Sequence, residues 1–165
     1  MIIGVVADTH IAKPDRKLPE PLVAGLYGVD LIVHAGDWTT MQVYEQLACL
    51  APVVGVYGNA DDEEVKQHFK QKEVLRLEGY EIGVVHGDGK GKTTRRRALD
   101  AFAGESLDLL IFGHSHIPLL EPHGEILLFN PGSPTDKRRQ PLYTYGLVEL
   151  SDSLQVRHCS YAAKS

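Results

Sequence analysis

Short runs of β-branched and aliphatic residues alternate with segments of helical spacing along the first two thirds of the chain. Ile2–Ala7, Leu31–Ala35, Val53–Tyr57, Glu81–Val85 and Leu109–Phe112 each end in glycine or a polar cluster, which predicts strands. Their near-continuous apolarity implies burial on both faces. Roughly Glu20–Tyr27, Thr40–Leu50, Asp61–Lys70 and Thr93–Ala103 carry helical periodicity between them. Strands alternating with helices indicate an α/β fold with a largely parallel central sheet.

The last third follows another pattern. Glu125–Phe129, Tyr143–Leu150 and Gln155–Ser160 read as strands with no room for crossover helices, so antiparallel hairpins are expected, forming a second sheet packed on the first. Ile11–Pro21 holds three prolines and reads as an irregular loop after the first strand.

Composition narrows the class. The chain has 165 residues, 43% of them hydrophobic and 24% charged, which suits one well-buried domain spanning residues 1–165. The sum of 17 basic and 22 acidic residues leaves a net charge of −5, with no whole-protein attraction for nucleic acid or an anionic membrane. Extended duplex binding is therefore not expected. Basic residues do gather locally, at Lys90, Lys92, Arg95, Arg96 and Arg97 and again at Lys137, Arg138 and Arg139. The usual meaning of such a run is a solvated face; the alternative is a phosphate-recognition patch. Cys49 and Cys159 stand far apart outside any CxxC pattern, which suggests neither a zinc knuckle nor a dithiol site. The apolar opening lacks a basic flank and no segment approaches membrane-spanning length, so a cytoplasmic protein is expected.

The informative chemistry follows the strands, because open α/β sheets bind ligands beyond the carboxyl ends of their strands. Those ends carry Asp8-Thr9-His10, Gly36-Asp37, Gly58-Asn59, His86-Gly87 and Gly113-His114-Ser115-His116. Carboxylate, imidazole and amide oxygen together suit borderline divalent cations. Seven ligands exceed one tetrahedral ion and suit two ions sharing a bridging carboxylate. Each residue alone has an ordinary reading as a turn or surface side chain, but all of them on one sheet edge do not.

The ordered blocks D-x-H, G-D, G-N, H and G-H-x-H resemble the calcineurin-like metallophosphoesterase superfamily. With Asn130-Pro131-Gly132-Ser133 following and no inserted cap, the chain resembles the small single-domain prokaryotic phosphodiesterases of that superfamily from Ile3 to about Leu150. The resemblance implies a four-layer α/β/β/α sandwich of two mixed sheets flanked by helices. It implies that Asp8, His10 and His116 hold one metal, that Asn59, His86 and His114 hold the other, and that Asp37 bridges them. Manganese is the expected ion, with nickel, zinc, iron or magnesium as alternatives. Asp37, Asn59 and His86 would serve catalysis, and Asn59 and His10 would meet substrate at the mouth of the site.

In that reading a hydroxide shared by the two ions attacks a small phosphodiester or nucleotide, and Ser115 and Ser133 are structural. Ala60 stands where larger relatives carry a histidine that assists the leaving group, which removes the usual general acid. Asp61 occupies a position where the family also has an acid, but with Asp62, Glu63 and Glu64 it reads as a helix N-terminus. His34 reads as a buried residue orienting Asp37; His68, His123 and His158 read as surface or packing residues. Trp38 is a candidate to pack on an organic leaving group. Gly91-Lys92-Thr93 lacks the spacing of a nucleotide P-loop. The alternatives are a phosphomonoesterase and a non-catalytic protein-interaction module on the same sandwich, as in the similarly folded retromer subunit. Leu119, Leu120 and the late hairpins suggest an apolar homodimer surface.

Overall fold

The computed structural model describes residues 1–165. In chain order the elements are β1 (Ile2–Val6), α1 (Glu20–Leu26), β2 (Leu31–His34), α2 (Met41–Ala48), β3 (Val53–Gly55), α3 (Glu63–His68) and β4 (Lys72–Leu77). They continue with β5 (Tyr80–Val85), α4 (Thr94–Ala101), β6 (Leu109–Ile111), β7 (Leu119–His123), β8 (Ile126–Asn130), β9 (Tyr143–Leu150) and β10 (Leu154–Tyr161).

Two five-stranded sheets form, in the orders β10-β9-β1-β2-β3 and β4-β5-β6-β8-β7. Each has a parallel trio flanked by antiparallel strands, so the parallel strands do not share one central sheet as their pattern suggested. β8 forms an antiparallel hairpin with β7 and pairs parallel to β6 on its other side. Strands β4 and β7 fall outside the predicted runs. Both are edge strands, and their charged residues and Pro122 are what such edges tolerate.

The strand alternation sorts side chains into layers. Ile3, Val5, Val33, Ile82, Val84, Leu109, Ile111 and Phe129 meet between the sheets. Val6 and Ile32 point the other way, into a layer with Leu22 and Leu26 of α1, Val43 and Leu47 of α2 and Val65 of α3. Leu110 and Leu128 face Ala98 of α4 and Phe102 just beyond it on the outside of the other sheet. The result is the expected α/β/β/α sandwich, and its double-sided burial accounts for the near-continuous apolar runs. The helices are shorter than their periodicity implied. Thr93 caps α4 by accepting from the Arg96 N–H, and Asp62 caps α3 by accepting from the Val65 N–H.

Parallel register brings the strand ends together. β1 and β2 run in step as far as Val6 beside His34, and the ladder continues past them with Asp8 N–H to Gly36 O and His10 N–H to Asp37 O, each 3.0 Å. In the second sheet the Gly113 N–H donates to His86 O at 3.1 Å and the Phe112 N–H to Phe129 O at 3.0 Å. No helix is long and apolar enough to cross a membrane.

Candidate metal centre at the strand ends

Six of the seven expected ligands converge as two groups whose ligand atoms lie within 4.8 Å of one another: Asp8, His10 and His116, and Asp37, His86 and His114. The groups share a border at Asp37, whose Oδ2 lies 3.1 Å from His86 Nε2 and 3.3 Å from His10 Nε2. Asp8 Oδ1 lies 3.7 to 3.8 Å from Nε2 of His10, His86 and His116. Asn59 is exposed on the turn between β3 and α3, next to Ala60, whose N–H donates to Asp37 Oδ1 at 2.9 Å.

The backbone is bent to make this arrangement. Asp8, His10, Asp37, His114 and His116 all have positive φ, between 48° and 71°, a region that non-glycine residues enter rarely and hold only when their surroundings over-determine it. Gly58 is required for another reason: a Cβ there would lie 2.2 Å from Asp37 Oδ1.

Partners behind the ligands aim them. His86 Nδ1 is 2.8 Å from Ala35 O, tying the second sheet to the first, and His116 Nδ1 is 2.6 Å from Asp136 O. A backbone carbonyl can only accept, so both rings carry their proton on Nδ1 and turn the Nε2 lone pair inward when neutral. His34 is fully buried and does not join the site; its Nδ1 accepts from the Gly36 N–H and its Nε2 meets Thr9 Oγ1, both at 3.0 Å. Burial, followed by the His86 charge, holds its pKa well below the usual value, consistent with a neutral ring that braces the Gly36-Asp37 turn.

Asp61 corrects the helix-terminus reading. It is buried and accepts from the N–H groups of Asp37 (3.0 Å), Thr39 (2.6 Å) and Gly58 (2.7 Å), so it clamps the turns bearing Asp37 and Asn59. Trp38 is likewise not at the mouth. It is fully buried, stacked between His34 and Phe69, and donates from Nε1 to Val56 O at 2.8 Å. The Asn130-Pro131-Gly132-Ser133 segment buttresses the site: Asn130 Nδ2 donates to Gly113 O and Ser115 Oγ, and Ser133 Oγ donates to Asp8 O. His158, which had no motif context, bonds Asn130 O at 2.8 Å.

The donor set asks for cations. Asp8 Oδ1 and Oδ2, Nε2 of His10, His86 and His116, and Nδ1 of His114 are buried without a hydrogen-bond partner. Buried polar atoms are normally paired, and six orphans converging on one place fit metal ions of the kind that carboxylate and imidazole ligands suit. In the metal-free protein, protons take up part of that role. Burial opposes charge on His10 and His86, but hydrogen bonds and charge from Asp37 and Asp8 outweigh it and push both up to about 9. Asp37 is correspondingly held far below the usual carboxylate range, burial being outweighed by His10 and His86. His114 goes the other way, lowered by burial and by the His86 charge.

The two-sheet sandwich thus carries two candidate metal-binding groups at its strand ends. Residues 1–153 match the calcineurin-like phosphoesterase superfamily domain, and the chain belongs to that superfamily. It is 38% identical over 160 residues to a probable metallophosphoesterase of Methanocaldococcus jannaschii, an alignment covering 95% of this chain and 80% of that one. In fold it is similar to a solved archaeal phosphodiesterase (TM-score 0.76, 20% identity, 98% and 100% of the two chains). It is also similar to wild-type Vps29 from Entamoeba histolytica complexed with zinc (TM-score 0.74, 21% identity, 97% and 99%).

Proposed function

We propose that the chain is a metal-dependent phosphodiesterase acting on a small phosphodiester or nucleotide, with Asp8, His10 and His116 holding one divalent ion, Asn59, His86 and His114 the other, and Asp37 bridging. The observation that carries this reading is the set of six orphaned buried donor atoms in two groups that meet at Asp37. Manganese suits the mixed carboxylate, imidazole and amide donors, and nickel, zinc, iron or magnesium are alternatives. Two such ions would supply an acidified water as nucleophile and neutralise phosphoryl charge.

The chain's own residues define the rest. Ser115 Oγ accepts from the Ile117 N–H and from Asn130, and Ser133 Oγ is bound to Asp8 O, so neither hydroxyl is free to attack phosphorus. In this reading exposed Asn59 and half-buried His10 would meet substrate oxygens at the mouth. The methyl of Ala60 offers no proton to a departing alkoxide. Activated leaving groups such as nitrophenolate are therefore the better substrates.

The test is hydrolysis of bis(p-nitrophenyl) phosphate beside p-nitrophenyl phosphate by metal-stripped protein, before and after adding manganese, nickel, zinc or magnesium. Metal-restored turnover preferring the diester is expected, with Asp37→Asn slower by about 10³-fold or more, the loss of some 4 kcal/mol of transition-state stabilisation. Substantial activity in Asp37→Asn would contradict the bridging role. No turnover with any metal would favour the protein-interaction reading.

A further inference from the structure

The two basic segments have different fates. Around Lys92–Arg97 the charges are spent internally, with exposed Lys90 at the edge of the run: Lys92 pairs with Asp100 at 2.7 Å, Arg95 with Glu121, and Arg96 with Asp100 at 3.7 Å. Arg97 donates to Gly87 O and to the carbonyls of Gly91 and Lys92, holding the turn after His86. This segment is structural.

Lys137-Arg138-Arg139 is left open. Arg139 is exposed and makes no ion pair or side-chain hydrogen bond, and Arg138 Nε reaches only to 4.0 Å from Asp136 Oδ2. Lys137 Nζ sits 5.6 Å above the Tyr143 ring and has no carboxylate partner. Three cations therefore face one carboxylate on a chain whose net charge is negative.

The loop is also fixed to the candidate metal centre. Its first residue, Asp136, receives His116 Nδ1 on its carbonyl, and at its root Thr135 Oγ1 donates to Thr9 O at 2.7 Å while Ser133 Oγ holds Asp8 O. A turn with Gln140 N–H on Lys137 O closes it, with Arg138 in the left-handed region. Between this loop and Ser115-His116-Ile117 lies a pocket of about 270 Å³, so a proposed metal ligand forms part of its wall. Ile117, 52% exposed, adds an apolar side.

We infer that the Lys137–Arg139 loop is an anion subsite that takes a second phosphate of the substrate, selecting phosphodiesters that carry a further phosphate over those that do not. Guanidinium groups bind phosphate oxygens in bidentate fashion, and beside the candidate metal centre Arg139 is unpaired while Arg138 gives up only a 4.0 Å contact with Asp136 to make that contact. The inference rests on the phosphodiesterase reading and names the substrate class for the same site.

The probes are thymidine 5′-(p-nitrophenyl phosphate) with and without a 3′-phosphate. Charge-assisted contacts of this kind predict a KM about tenfold lower for the 3′-phosphorylated probe. Arg138→Ala/Arg139→Ala brings the two KM values together. Arg139→Ala alone, at an exposed position, narrows the ratio, and Arg139→Lys restores part of it. Arg96→Ala, whose charge is paired elsewhere, keeps the full ratio and separates a local contact from a general charge effect. Equal KM values in the unmodified protein, or a ratio that survives the double substitution, would overturn the subsite. A calorimetric comparison of thymidine 3′,5′-bisphosphate with thymidine 5′-monophosphate on the metal-free protein reads the loop without turnover. Tighter bisphosphate binding lost in the double variant supports the subsite even if neither nitrophenyl probe is cleaved, an outcome that would sink the phosphodiesterase reading alone. Equal binding of the two nucleotides would sink the subsite.

Discussion

Between the sheets, Val5, Val33, Val84, Ile111 and Phe129 are buried and apolar; a few residues further along the same strands or their extensions, Asp8, Asp37, His86 and His116 are just as buried and entirely polar. The interior satisfies every rule of a stable core. The rim violates several, holding ionisable groups out of water, leaving their inner atoms unpaired and bending non-glycine residues into left-handed backbone. The parallel register that packs Val5 beside Val33 also sets Asp8 beside the Gly36-Asp37 turn, so the core's apolar packing supports the strained site at its edge.

That contrast can be broken from either side. Phe129→Ala should have the largest effect on stability, about 3–5 kcal/mol, because its ring fills the space opposite Gly146 between the sheets. Urea unfolding measures the loss, and metal stoichiometry of the folded fraction should be unchanged. Folded Phe129→Ala protein that no longer holds metal would mean that core and rim are not separable in this way.

Asp61→Ala acts at the boundary. It leaves the N–H groups of Asp37, Thr39 and Gly58 without their acceptor, which costs about 1–3 kcal/mol in a melting curve and weakens metal binding about 10–100-fold in a titration. Gly58→Ala should cost roughly 1 kcal/mol of stability through local overpacking, yet still lower metal affinity, since the new methyl collides with Asp37 Oδ1.

A further effect is one of pH on the metal-free protein. His10 and His86 titrate near 9 in the fold against an unfolded value of 6.5, so the stability their protonation contributes is fully present below pH 6.5 and lost as pH rises through 9. Divalent ions compete for the same positions, so metal affinity should rise over that interval and binding at pH 7 should release protons. A melting temperature that climbs from pH 6.5 to 9 without metal would contradict the pairing with Asp37 and Asp8.

Much of the candidate site was legible because its residues sit directly after apolar runs, where residue type and strand end coincide; the grouping of Asp8, His10, Asp37, His86, His114 and His116 needed no long-range information beyond parallel pairing. Asp61 was misread because its three donors come from two separate turns, and the local pattern of four acids has a sufficient explanation in the Asp62 cap. Trp38 looked available from its position after Asp37, and only the stacking of Phe69 beyond α3 shows that it is interior. The two basic runs are alike as composition. Glu121, Asp100 and the Gly87 carbonyl distinguish them, and those partners are set by folding.

The most direct test is a titration of metal-stripped protein with manganese, read by calorimetry and by elemental analysis after desalting. The account predicts two ions per chain, with Asp37→Asn disrupting both positions and His34→Gln, behind the site, retaining two at reduced affinity. Two ions bound equally well by Asp37→Asn, or no stoichiometric binding by the unmodified chain, would contradict the paired metal centre.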